Sequence, residues 1–304
     1  MTEQPTAGDK RRRLARQVRE GRFVVAPGIF DMISARIADG LGFDCLYMTG
    51  FGTVASLLGL PDAGLATYSD MVERVARFAE GTATPIVADA DTGYGGLLNV
   101  AHAVRGYEAA GAAGIQIEDQ EFPKKCGHTP GRRVIPTADM VRKIRVAADA
   151  RRDADFLIVA RTDARTTLGL DEALRRAEAY RAAGADILFV ESPESEAEME
   201  AIGRRIAAPL LANLVEGGRT PMLTPQRLDT IGYRMAIYPA SGFLAAAAAL
   251  SGIYGALRET GTTNGAATPL HPFADMTRLM GFEKVWAFER RWAEPPPGDP
   301  PPGE

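Results

Sequence analysis

Cysteine and histidine are scarce in this 304-residue chain, with two of the first and three of the second. Two cysteines, Cys45 in an apolar run and Cys126 in a polar one, do not make a disulfide framework, and a reducing cytoplasm is the expected compartment. Three histidines in total can scarcely supply a zinc centre. Charge of one sign is lacking too: 35 Lys and Arg against 39 Asp and Glu leave −4, which gives no reason to expect nucleic acid or a membrane surface as partner. No long apolar run is present. The nearest, FLAAAAALSGIYGALRE at 243–259, is too short and alanine-rich to span a bilayer and reads as a buried helix. The basic N-terminus, MTEQPTAGDKRRRLARQVREGR, has no apolar stretch behind it, so it reads as a charged helix over 1–22 ending at Gly21 rather than a secretory signal. The last ten residues, PPPGDPPPGE at 295–304, suit neither helix nor sheet and are expected to be disordered.

What is present is a recurrence. Short β-branched or aromatic runs alternate with alanine-rich segments of helical period: FVVAP (23–27), DCLYMT (44–49), PIVADA (85–90), GIQIED (114–119), FLIVAR (156–161), DILFVE (186–191), LLANL (210–214) and MAIYP (235–239). Eight parallel strands with intervening helices close most economically as a (β/α)8 barrel of TIM type, here over 23–260. An open doubly wound sheet is the alternative, but no glycine-rich dinucleotide fingerprint follows the first run. Polar residues gather at the ends of the runs: Asp31, Tyr47 with Thr49, Asp89 with Asp91, Glu118, Arg161 with Asp163, Glu191, Asn213, and Tyr238 with Ser241. In a barrel all of these reach the C-terminal rim, where such folds place their sites, although any one of them also suits a helix cap or turn.

Two of these ends carry chemistry. In VADADTGYGG (87–96), Asp89 and Asp91 stand at i and i+2, which an extended strand directs to one side, and carboxylates alone favour Mg²⁺ or Mn²⁺. Glu118 would reach the same ion directly or through water. The same spacing also suits a turn in which Asp89 hydrogen-bonds Asp91. After the fourth run, KKCGHTPG (124–131) lies in a loop, 122–136, too long and too punctuated by glycine and proline for an ordinary connection, and it reads as a lid. A thiol between Lys124, Lys125 and His128 has its thiolate favoured, which suits Cys126 to proton transfer or nucleophilic attack; an inert loop cysteine is the plainer alternative.

The motifs YMTG (47–50), VADADTGYG (87–95), IEDQ (117–120), FPKKCGH (122–128), ARTDA (160–164), VES (190–192) and NLVEGG (213–218), in this order, resemble the isocitrate lyase and phosphoenolpyruvate mutase superfamily, and its short lyase branch above all. That branch includes the 2-methylisocitrate and 2,3-dimethylmalate lyases. The resemblance implies a Mg²⁺-dependent carbon–carbon lyase that splits a 2-hydroxy di- or tricarboxylate into a 2-oxo acid and a carboxylic acid. By the same resemblance Asp89, Asp91 and Glu118 hold the metal, and Arg161 with backbone N–H groups near Thr49 and Gly50 holds the C1 carboxylate and C2 oxygen. Gly127, His128, Glu191, Asn213 and Ser241 bind the remaining substrate, and Cys126 protonates the departing carbanion. Tyr47 is the chosen base, with Lys125 and a metal-bound water as rivals.

Same-fold decarboxylases of oxaloacetate and C–P bond enzymes are the alternatives, and they lack this cysteine. A barrel that binds a dicarboxylate without turning it over is the alternative from another class. Leu244 stands where methylisocitrate-cleaving members carry arginine, so a dicarboxylate such as an alkylmalate is favoured over a tricarboxylate. The resemblance further implies a homotetramer. HPFADMTRLMGFEKVWAFERRW (271–292), within 261–294, has apolar residues at helical spacing and suits an arm exchanged between subunits, packing on its own barrel being the other reading.

Overall fold

Eight strands, β1 (Val24–Ile29), β2 (Leu46–Met48), β3 (Ile86–Asp89), β4 (Gly114–Glu118), β5 (Leu157–Thr162), β6 (Ile187–Val190), β7 (Leu210–Asn213) and β8 (Tyr233–Tyr238), pair in parallel in chain order. The ring closes where β8 pairs with β1, from Val24↔Met235 to Pro27↔Tyr238. This is the (β/α)8 barrel expected, and it excludes the open sheet. The computed structural model describes residues 4–127, 129 and 131–293, so the C-terminal segment 295–304 expected to be disordered lies outside the described residues.

Helices alternate with the strands: α1 (Ala7–Arg19), α2 (Met32–Gly40), α3 (Gly50–Leu58), α4 (Tyr68–Gly81), α5 (Leu97–Ala109), α6 (Thr137–Ala150), α7 (Ala164–Leu168), α8 (Leu170–Ala182), α9 (Glu196–Arg205), α10 (Pro225–Thr230) and α11 (Ser241–Thr260), followed by α12 (Phe273–Leu279) and α13 (Phe282–Trp292). Each strand is apolar on both faces because two cores need it. One core fills the space between strands and helices, with Ile115, Ile158 and Leu188 meeting Met140, Ile144 and Tyr180. The other lies inside the ring, where Val87, Val159, Phe189, Leu211 and Met235 pack together with Leu14, Ala15 and Val18 of α1. The N-terminal helix therefore stoppers one end of the barrel, and a Thr6–Asp9 capping box starts it. Strand ends depart from expectation where caps intervene. β2 stops at Met48 because Thr49 is already the N-cap of α3, and β3 stops at Asp89 because Asp91 turns with φ +49°.

The chain divides into two compact units, one through Ala247 and one from Ala248. Of the 243–259 stretch, only Ile253 is buried; the segment is a helix as expected but an exposed one. Its alanines form helix without needing to be covered. In α12 and α13 no residue is buried, and Phe273, Trp286, Phe288 and Trp292 are exposed.

Candidate active site

At the C-terminal rim of the barrel a cavity of about 270 Å³ is lined by Tyr47, Thr49 and Gly50 after β2, Asp89 on β3, Glu118 on β4, Arg161 on β5 and Asn213 on β7. Lys125, Cys126 and Gly127 line it from the lid. Six of the twelve strand-end residues singled out in the sequence thus meet at one place, while Asp91, Asp163, Glu191 and Tyr238 are absent from the lining. Asp31 is absent too: it caps α2, accepting from the Ser34 N–H at 2.7 Å. Ser241 is absent from the lining, and its hydroxyl bonds Glu216. His128 lies outside the described residues.

Asp89 and Asp91 are both buried, but the turn rather than the strand pleat brings them together. The Asp91 N–H donates to Asp89 Oδ1 at 2.9 Å, which is the turn that the spacing also suits. A buried cation, Lys124, pairs with this acid cluster. Lys124 is 2% exposed, with Nζ 2.5 Å from Asp62 Oδ1 and 2.6 Å from Asp91 Oδ1. Burial opposes its charge, yet Asp91, Asp89, Asp62 and Glu118 outweigh burial and hold the ammonium well above the usual lysine range. Burial pushes the carboxyls of Asp89, Asp91 and Glu118 upward, with Lys124 opposing at each. Lys125 also lines the cavity, but it is exposed and its ammonium donates to the Gly131 carbonyl at 3.3 Å. Tyr47 donates its hydroxyl to Gln116 Oε1 at 2.7 Å, and burial, then Asp89, raises its pKa well above the ordinary phenol value.

Arg161 anchors the opposite side. It makes a two-point contact with Asp163, at 2.9 Å each, and lies 3.3 Å from both Glu118 and Glu191. Glu191 in turn accepts from the Asn213 amide at 3.0 Å. Gly127 lies so close that a Cβ there would collide with the Arg161 guanidinium and the Glu191 carboxylate, which is why the residue after Cys126 carries no side chain. The lid is pinned at several points. The Cys126 N–H donates to the Asp62 carbonyl at 3.2 Å, Gln120 brackets Lys125 through its N–H and carbonyl, and Arg132 pairs with Asp163 at 2.5 Å. Cys126 is half-buried at the cavity, facing the same space as Asp89 and Glu118.

Glu118 Oε1 is buried without a hydrogen-bond partner, and a cation is what such an oxygen lacks. Among the described residues no group of three or more carboxylate, imidazole or thiol side chains is placed to hold a metal ion, so a bound cation would have one or two carboxylates and would need water or substrate oxygens for the rest. One side of the remaining wall is apolar, formed by Phe51, Val215, Ile237, Pro239, Phe243 and Leu244, and Thr129 and Glu216 also line the cavity.

Lys124 and Asp62 escaped the sequence reading as site residues. Neighbours in an extended segment point to opposite sides, so one of the two lysines had to enter, but only the fold decides which. Asp62 comes from the loop after α3, with no strand end to mark it.

Comparison with known proteins gives concordant results. The phosphoenolpyruvate phosphomutase family matches residues 14–257. A 2,3-dimethylmalate lyase of Eubacterium barkeri is 48% identical over 272 residues, covering 90% of this chain and 94% of that one. A 2-methylisocitrate lyase of Aeropyrum pernix is 42% identical over 89% of this chain and 86% of its own. Among solved structures, an oxaloacetate acetylhydrolase in complex with 3,3-difluorooxalacetate superposes with a TM-score of 0.88 at 34% identity, covering 95% of this chain and 98% of that one.

Proposed function

The chain belongs to the phosphoenolpyruvate mutase and isocitrate lyase superfamily, and we propose that it is a Mg²⁺-dependent lyase that cleaves the C2–C3 bond of an alkylmalate such as 2,3-dimethylmalate. The observation that carries this reading is the cavity itself: a thiol from the lid, a charged floor and an apolar wall enclose one space. The products would be a 2-oxo acid and a carboxylic acid, here pyruvate and propionate.

Asp89 and Asp91, with Glu118 directly or through water, would hold the ion. Bound there, Mg²⁺ supplies positive charge to the oxygens of C1 and C2. Arg161 orients the C1 carboxylate, together with the N–H groups at the start of α3, which have no acceptor within their own helix. Loss of the C2 hydroxyl proton lets the C2–C3 electron pair move to C3, where the neighbouring carboxylate stabilises it. Cys126 then delivers its proton to C3, and the proton taken from the hydroxyl restores the thiol. Tyr47 fits less well as base than as donor, since its hydroxyl is held protonated and already donates to Gln116. The acid cluster of Asp62, Asp89, Asp91 and Glu118 offers the acceptors instead. With the lid pinned over the cavity, water is kept from the carbanion.

Among the described residues, Leu244 and its apolar neighbours Phe51, Val215 and Phe243 offer no cation to a third carboxylate, which supports a dicarboxylate over methylisocitrate. Similarity to oxaloacetate acetylhydrolase supports a second reading, hydrolysis of oxaloacetate. Pyruvate and oxalate release from 2,3-dimethylmalate, 2-methylisocitrate and oxaloacetate, each with and without Mg²⁺, tests the proposal. Metal-dependent pyruvate from dimethylmalate is expected; oxalate from oxaloacetate as the sole product would favour the hydrolase, and tight oxalate binding with no turnover would favour a binding protein. For assembly, we propose a homotetramer in which the apolar residues of α11, α12 and α13 are covered by neighbouring subunits.

A further inference from the structure

Phe51 stands in the first turn of α3, immediately beyond the backbone N–H groups of Gly50 and its neighbours, and its ring forms part of the cavity wall. The ring is 39% exposed, yet it is not free to retreat. Phe243 meets it edge-to-face, with centroids 5.1 Å apart and planes at 78°. Phe243 is itself backed by Phe30 at 6.3 Å and 86°. Behind both, Gly52 leaves no slack: a Cβ there would lie 2.8 Å from Phe30 Cβ and 2.9 Å from Phe243 Cδ1. The aromatic row is therefore braced from behind, Phe51 by Phe243 and Phe243 by Phe30. Val215 and Leu244, the aliphatic members of the lining, can change rotamer, and Leu244 is 43% exposed.

A ligand whose carboxylate is held at the start of α3 presents the substituent of the adjacent carbon to this wall. We infer that Phe51, held in place by Phe243, sets the upper length of the alkyl group that the site accepts. The inference rests on the alkylmalate reading. Short alkyl groups gain contact with the ring edge, and longer ones meet it end-on.

Calorimetric titration in the presence of Mg²⁺ with succinate, methylsuccinate and butylsuccinate tests this without turnover, because these carry the substrate skeleton but no hydroxyl proton to lose. The wild-type protein is expected to bind methylsuccinate more tightly than butylsuccinate. In Phe51→Ala the butyl-to-methyl affinity ratio should rise at least about tenfold, since each buried methylene is worth about fourfold in affinity. Phe51→Leu, which keeps bulk for folding but removes the rigid ring, should fall between. A ratio unchanged within about twofold in both variants, with succinate binding retained, would overturn the wall's role. A wild-type protein that binds none of the three contradicts the dicarboxylate reading itself.

Discussion

At the scale of single residues, the two cysteines are chemically opposite. Burial pushes the Cys45 thiol up to about 12, so its thiolate is negligible at neutral pH, whereas Cys126 is half-buried at the cavity. Iodoacetamide at neutral pH should label one thiol in the native protein, and peptide mapping should find it at Cys126; a second thiol should react only after denaturation. Labelling of Cys45 in the native state would contradict its placement in the inner core. Gly127→Ala should abolish most turnover, because the new Cβ displaces Arg161 or Glu191; a steady-state assay with unchanged kcat would show that neither group needs its present position. Cys126 was legible in the sequence because a thiol in polar, glycine-flanked surroundings is misplaced as filler. Lys124 was not, since its entry into the acid cluster depends on Asp62 and Asp91 arriving from other elements.

At the scale of elements, the lid and the β3 turn act as one electrostatic unit through Lys124. Removing its charge in Lys124→Met leaves Asp62, Asp91 and Glu118 buried with less compensation, and stability at about pH 7.5 should fall by about 3–5 kcal/mol in urea unfolding. The sign of the pH dependence follows from the raised carboxyls. Groups that hold protons more tightly when folded stabilise the fold as pH falls, so the deficit of the variant should shrink toward about pH 5. A deficit that grows on acidification would remove the acid cluster as its cause. The eight strands were visible because each must be apolar on both faces, a pattern independent of what surrounds it. The pairing of Asp89 with Asp91 was expected for the wrong geometric reason. Alternation along a strand put them together on paper, while in the protein a left-handed residue at Asp91 does so. The lid's length and punctuation were readable, but its anchors at Asp62 and Asp163 were not, because both lie far from it in sequence.

At the scale of the whole molecule, the apolar side chains of α11 were expected to be buried and are exposed, since an apolar helix looks the same whether its own subunit or another covers it. If neighbours cover these and the exposed side chains of α12 and α13, the full chain should sediment with the mass of four subunits and a chain ending at residue 260 with fewer; the same number of subunits in both would contradict the proposal that α12 and α13 hold the assembly together. The barrel supplies a rim at which six strand ends converge, and the long connection after β4 brings a thiol to it. The central claim is that this thiol protonates the carbon released at that rim. The most direct measurement pairs turnover of 2,3-dimethylmalate with oxalate affinity in Cys126→Ser, both in the presence of Mg²⁺. Turnover should fall by at least about 100-fold while oxalate affinity stays within a few-fold of wild type; near-normal turnover would contradict the account.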